Sequence, residues 1–195
     1  MSKKNIVASM DIVTTHGRVI EGVINLVGTI NIIGVGTSLS RGLKKGVIVD
    51  LDDTISSIQN ALEEAERMAG LEIDSVFLGI VGSQVGIINN RGVVAVSGED
   101  KEIVDEDVQR VMQQAQVIAL PPEREIIDIL PREFIVDGYD GIRDPVGMIG
   151  VRLEVDAMVV TGMTTTIRNT YRCVNRAELE IDGPVLNSLV NAEIV

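Results

Sequence analysis

The residues best placed to do chemistry lie near the start of the chain, in Met10-Asp11-Ile12-Val13-Thr14-Thr15. The apolar run Ile6 to Ile12 reads as a buried strand, which puts Asp11 at a strand end and the two threonines in the turn beyond it. Such a turn can aim backbone N–H groups and hydroxyls at phosphate oxygens, with the carboxylate acting through a metal ion. It usually has glycine where backbone must approach phosphate closely, and this chain has Val13. By spacing alone, the plainer reading is an aspartate capping a turn. His16, the single histidine, comes next. It belongs to the residue type that titrates near neutral pH, but no second histidine or carboxylate grouping supports a metal site, so it reads as a solvated loop residue. Arg41, Lys44 and Lys45 in SRGLKKG form a basic cluster that reads as a solvated loop, with a phosphate or acidic partner as the sharper alternative.

The other reactive side chains read as structural. Cys173 is the sole cysteine, so no internal disulfide can form, which fits a reducing cytoplasm; in a helix with no histidine nearby it reads as a small buried side chain. Asp50, Asp52 and Asp53 read as a helix cap and first turn, not as a metal site. No GxGxxG, GxxxxGK[ST], GxSxG or HExxH motif occurs. A net charge of -12 with no Lys/Arg stripe argues against nucleic acid and against an anionic membrane surface. The N-terminus lacks the apolar stretch of a signal peptide. The uncharged run Gly22 to Ser40 is long enough to span a membrane, but its asparagines and glycines favour two strands around a turn.

The elements that must hold these residues follow from periodicity. Ile6–Ile12, Arg18–Ile24 and Thr29–Val35 suggest an antiparallel meander, with Val47–Val49 a further short extended piece. Leu51 to Ala69 carries the stripe Leu51, Ile55, Ile58, Leu62, Ala65 and Met68, with Asp50 and Gly70 as its stops; a helix is predicted. Asp74–Val81 reads as a strand. Gln84–Val96 reads as a strand or hairpin turning at Asn89-Asn90-Arg91-Gly92. A helix follows with Val108, Val111, Met112 and Ala115 on one face, ended by Pro121-Pro122. Glu125–Val136 is strand-like and Gly138–Gly150 a glycine-rich loop. Val151–Val159 alternates, with Arg152, Glu154 and Asp156 facing away from the apolar side. Thr164 opens a helix with the stripe Ile167, Tyr171, Val174 and Ala177. Glu180–Asp182 is extended and Val185–Ile194 reads as a last helix. This order describes an α/β sheet domain interrupted by a small second domain at about Ser83 to Gly162.

Several long strings resemble one family. NIIGVGTSLSRGLKKGVIVDLDDTISSIQNALEEAERMAG, NNRGVVAVSGEDKEI, ALPPEREIIDILPREFIVDGYDGIRDPVGMIGVRLEVDAMVVTGMTTTIRN and RCVNRAELEIDG are similar to the bacterial cell-division protein family FtsA, over about Ile30 to Gly183. The related pilus-assembly family PilM shares the inserted subdomain type, and the strings favour FtsA. The resemblance implies an actin-like (RNase H-like) five-stranded mixed sheet with helices. Subdomain 1A would be residues 1–82 and 163–195, and the inserted α+β subdomain 1C residues 83–162. It implies ATP with magnesium as cofactor, and Asp11, Val13, Thr14, Thr15 and His16 as the phosphate turn. The family pattern there is Asp-Ile-Gly-Thr-Thr, so Val13 marks the site as vestigial.

The resemblance also implies division proteins as partners of the inserted subdomain, possible self-association, and a place at the cytoplasmic face of the membrane at the division site. The family's second lobe, FtsZ site and membrane helix are expected to be absent from this chain. His16-Gly17, the run Val23–Val27 and Asn187-Ser188 to Asn191 also depart from the family pattern. The expectation is a protein-interaction lobe that is not an enzyme. The alternatives are a redesigned stand-alone lobe with no activity, and an ATPase or kinase.

Overall fold

The computed structural model describes residues 6–25, 27–80 and 85–186. Along the chain run β1 (Ile6–Ile12), β2 (His16–Ile24), β3 (Ile30–Leu39), β4 (Leu43–Lys44), β5 (Val47–Ile48), α1 (Leu51–Ala69), β6 (Ser75–Ile80), β7 (Gly86–Ala95), α2 (Asp105–Ala115), β8 (Arg124–Val136), β9 (Tyr139–Ile142), β10 (Arg152–Met163), α3 (Thr164–Arg176) and β11 (Glu180–Leu186). They divide into two compact units, Met1–Gln84 with Thr165–Val195, and Val85–Thr164.

The first unit is built on a five-stranded mixed sheet in the order β11-β6-β1-β2-β3. The predicted meander is present: β1 pairs antiparallel with β2, and β2 with β3, so the uncharged run is strand and turn. β6 lies parallel to both β1 and β11. The core gathers Met10, Val19, Val76 and Leu78 of the strands against Ile55, Ile58, Ala61 and Ala65 of α1 and Cys173 and Val174 of α3. The Asp50 carboxylate caps α1 by accepting the Asp53 N–H at 3.0 Å, and Gly70 closes its far end in the left-handed region. The predicted stripe shifts at its end: Met68 is exposed, and Ala61 is buried instead. The reason lies in β3. A side chain at Gly36 would overlap the Ala61 carbonyl, so α1 rests directly on the strand backbone and only small residues fit the contact.

This close approach buries a carboxylate. Glu21 of β2 pairs with Gly34 of β3 and is fully buried, and neither side-chain oxygen has a partner among the described residues. Burial, with a smaller push from Glu66, raises its pKa. Val185 and Leu186, read as the start of a helix, belong to β11, which pairs parallel with β6 and sets them beside Gly79 and Ile80. The rest of that predicted helix, with Asn187, Ser188 and Asn191, lies outside the described residues.

The second unit is an antiparallel sheet in the order β7-β10-β8-β9, with α2 packed on one face. Here the structure corrects several readings. Asn89-Asn90-Arg91-Gly92 is not a turn but the middle of β7. Arg91 reaches across to Asp156 of β10 with bonds of 2.8 and 3.1 Å, and a side chain at Gly92 would overlap the Val111 carbonyl of α2. α2 stops at Ala115, well before Pro121; the Asn90 side-chain amide donates to the Ala115 carbonyl at 2.9 Å and satisfies one of the orphan groups at that helix end. The glycine-rich stretch contains a strand, β9, which pairs with β8 through a tight turn at Asp137-Gly138, both at positive φ. Val151 is exposed, ahead of the strand. Glu154, placed on the solvent face by alternation, is nearly buried there because Arg91 and Arg152 lie against its carboxylate at 3.5 and 2.7 Å.

Asp107 organises the entry to α2. Fully buried, it accepts the Ser97 hydroxyl at 2.7 Å and N–H at 3.2 Å, the Val104 N–H at 3.3 Å, and the Arg110 guanidinium. Burial by itself would raise its pKa; the bonds from Ser97, Arg110 and Val104 outweigh that and hold it at about 2.

The two carboxylates give opposite pH dependences. Asp107 is depressed when folded, so its stabilisation is present above the unfolded value of 3.8 and is lost as pH falls toward about 2. Asp107→Ala should remove about 2–4 kcal/mol of unfolding free energy at pH 7, read by urea denaturation. Glu21 is raised, so its favourable term is present below 4.5 and is lost as pH rises through the folded value. Glu21→Met should therefore stabilise the protein by about 1–2 kcal/mol at pH 7, an advantage that shrinks toward pH 4.5. Parallel pH profiles for wild type and variant would rule out an ionising buried Glu21.

Candidate functional site

The turn between β1 and β2 is closed by its own backbone. The Val13 N–H donates to the His16 carbonyl at 3.2 Å, and the Thr15 carbonyl accepts the Ser40 N–H at 3.1 Å. Thr14 Oγ1 accepts the Gly46 N–H at 2.9 Å, which ties the β4–β5 hairpin to the turn. The basic cluster is thereby brought close in space: Arg41 leads into this hairpin, Lys44 lies on β4 and Lys45 turns its tip at positive φ, all three exposed.

Asp11 sits on β1, in register with Arg18 of β2 and Gly79 of β6. Its Oδ1 is buried and has no partner among the described residues. His16 is not a loop residue: it opens β2, half-buried, opposite Leu39 of β3. Its carbonyl, not its ring, takes part in closing the turn. Thr14 and Thr15 are exposed.

Val13 faces a cleft of about 200 Å³. Its lining is mostly apolar, with Ile12, Leu43, Leu78, Ile80 and Ile167, and Thr14, Thr166, Thr170 and Tyr171 are its hydroxyl-bearing residues. Thr170 Oγ1 donates to the Thr166 carbonyl at 2.9 Å, the usual back-bond of a helical threonine. Leu43, Thr166 and Thr170 were not singled out from sequence. The run Thr164-Thr165-Thr166 opening α3 is the sequence signal at this wall.

ATP with magnesium fits this turn only in part. The unpartnered Asp11 oxygen suits a metal-bound water. The phosphate end fits poorly: the Val13 amide is engaged by His16, a branched residue stands where glycine would let the backbone approach, and among the described residues no Lys or Arg lines the cleft. Cys173 is buried as read, its thiol 4.0 Å from the Leu51 carbonyl, and burial pushes its pKa up, away from nucleophilic use. Among the described residues no helix is long and apolar enough to cross a membrane.

Comparison with known proteins gives a consistent result. Residues 82–161 match the family described as the SHS2 domain inserted in FtsA. The cell division protein FtsA of Bacillus subtilis is 47% identical over 189 residues, covering 97% of this chain and 43% of the relative. That of Enterococcus faecalis is 43% identical over 195 residues, covering 100% and 44%, and that of Escherichia coli 31% identical over 189 residues, covering 97% and 44%. The chain thus spans less than half the length of these relatives. Among solved structures, the PilM-PilN type IV pilus biogenesis complex superposes with a TM-score of 0.65 at 14% identity, covering 96% of this chain and 49% of that one, which speaks to fold alone. The fold is actin-like, with an SHS2 insertion.

Proposed function

We propose that the chain is a piece of a cell-division protein of the FtsA family, a binding and scaffold piece and not an enzyme; its likeness to relatives of which it spans less than half supports this. In this reading it serves, at the cytoplasmic face of the membrane, a molecule that links FtsZ filaments to the membrane and recruits division proteins. Its phosphate turn binds ATP weakly or not at all. Its contacts with division proteins, and any self-association, run through the inserted unit.

The observation that carries this reading is Val13. It lines the cleft and its amide is held by His16, which supports a turn closed to phosphate. Phosphoryl-transfer enzymes depend on positioned donors and cations around the phosphates, and among the described residues no cation lines this cleft. The inserted unit supports the binding half of the proposal. On its β7-β10-β8-β9 sheet, Arg132 joins two hollows of about 320 and 230 Å³, walled by Arg91 on one side and Arg143 on the other. Arg132 and Arg143 are exposed, in a chain that is otherwise strongly acidic.

Titration calorimetry with Mg-ATP tests the turn. Wild type should show no binding tighter than about 1 mM, and Val13→Gly should tighten it at least tenfold, or about 1.4 kcal/mol. Micromolar binding by wild type contradicts the proposal. For the inserted unit, Arg132→Glu with Arg143→Glu should reduce co-purification of division proteins from cells without shifting the melting temperature, because both side chains are exposed.

A further inference from the structure

β7 is an outer strand of its sheet, and its free edge is open. The Val96 N–H donates to the Val151 carbonyl at 2.9 Å, and β7 pairs with β10 from there without a register shift. Ladder bonds alternate along an antiparallel pair. Val94, Gly92, Asn90 and Ile88 therefore bond to β10, while the N–H and C=O groups of Val93, Arg91, Asn89 and Ile87 point outward. The Ala95 carbonyl, next in the outward series, is taken by Arg110 at 2.9 Å. The other four residues have no backbone partner on that side among the described residues. β3, an outer strand of the other sheet, is guarded instead: Glu64 of α1 accepts its Thr37 N–H at 2.7 Å.

An open edge accepts an extended strand, and β7 is complementary to itself. An antiparallel copy centred on Asn90 sets Ile87 against the partner's Val93 and Asn89 against the partner's Arg91. These are the residues with outward backbone groups, so each pair can exchange both of its bonds. Ile87 and Val93 are 59% and 47% exposed and would cover each other. A centre at Arg91 would instead oppose two guanidinium groups.

Charge favours the same partner and the same axis. Two copies of a chain of net charge -12 repel, so they can meet only where charge is sparse. Within β7 the one charged residue, Arg91, is engaged by Asp156. The acidic first turn of α2 lies toward Ala95, where Arg110 reaches, and its other end lies at Asn90, which bonds the Ala115 carbonyl. An axis at Asn90 keeps the acidic turns of the two helices apart. The helix end nearest it carries Gln113, Gln114 and Gln116.

We propose that β7 pairs antiparallel with β7 of a second copy of this chain, about a two-fold axis at Asn90. The pairing rests on the reading above that any self-association runs through the inserted unit. A contact of this size suits a weak dimer, with a dissociation constant on the order of 0.1 mM.

Sedimentation equilibrium of the whole chain to about 0.5 mM, well above that constant, tests the dimer. Wild type should dimerise. Asn89→Pro should stay monomeric at an unchanged melting temperature, because the N–H it removes points outward and the ladder to β10 stays whole. Ile87→Cys combined with Val93→Cys should oxidise to a covalent dimer while neither single variant does; Cys173 is buried and stays out. The cysteine pair decides by itself if Asn89→Pro fails to fold. Dimerisation by a folded Asn89→Pro, or equal cross-linking by a single cysteine variant, overturns the pairing. Amide hydrogen exchange separates the two claims. Protection gained with concentration at Ile87, Asn89, Arg91 and Val93 supports the pairing. Protection elsewhere in the inserted unit, or a chain that stays monomeric, overturns this pairing alone; protection confined to the first unit overturns the reading it rests on as well.

Discussion

Each unit depends on a helix backbone lying directly against a strand, with a glycine at the point of contact. In the first unit Gly36 of β3 sits under Ala61 of α1, and in the second Gly92 of β7 sits under Val111 of α2; a side chain at either position would overlap a helix carbonyl. Contact at backbone distance removes the layer of side chains that normally separates helix from sheet, and small residues on the helix make it possible. Ala61 and Ala65 serve α1, and Ala115 serves α2. The register of both sheets follows, because a shift of one residue would put Val35 or Arg91 where the helix needs a glycine.

The turn and its cleft inherit their shape from that contact. α1 fixes β3, β3 fixes β2, and the end of β2 fixes His16, whose carbonyl holds the Val13 amide. The β4–β5 hairpin, leading into the cap of α1, is docked on Thr14 from the other side. The same packing traps Glu21 between strand and helix with no partner among the described residues, an electrostatic liability that the fold tolerates because the hydrophobic contacts around it are tight. Asp107 shows the opposite solution, a buried carboxylate that accepts from Ser97, Val104 and Arg110.

Much of this was legible in the sequence, where one element decides its own conformation. The Asp50 cap, the Gly70 stop and the first strand were read at their observed limits because cap chemistry and a continuous apolar run are local signals. What could not be read depends on long-range partners. Asn89-Asn90-Arg91-Gly92 has turn composition, yet Asp156 and α2 hold it extended; Glu154 alternates outward, yet two arginines cover it. The glycine-rich stretch after Gly138 hid a strand because its pairing residues lie on β8. At the turn, residue types pointed to Asp11, Val13 and Thr14. That the His16 carbonyl closes the turn and that Thr166 and Thr170 of α3 line the cleft are facts of tertiary placement. Glu21 left no signal at all, since a single glutamate in a strand ordinarily faces solvent.

The closed turn is the point on which the functional reading stands. A crystal structure grown with magnesium and a non-hydrolysable ATP analogue tests it most directly. The expected density keeps the Val13 N–H on the His16 carbonyl, with no phosphate at the turn. A phosphate seated on the amides of Val13 and Thr14, with magnesium held through Asp11, would contradict it.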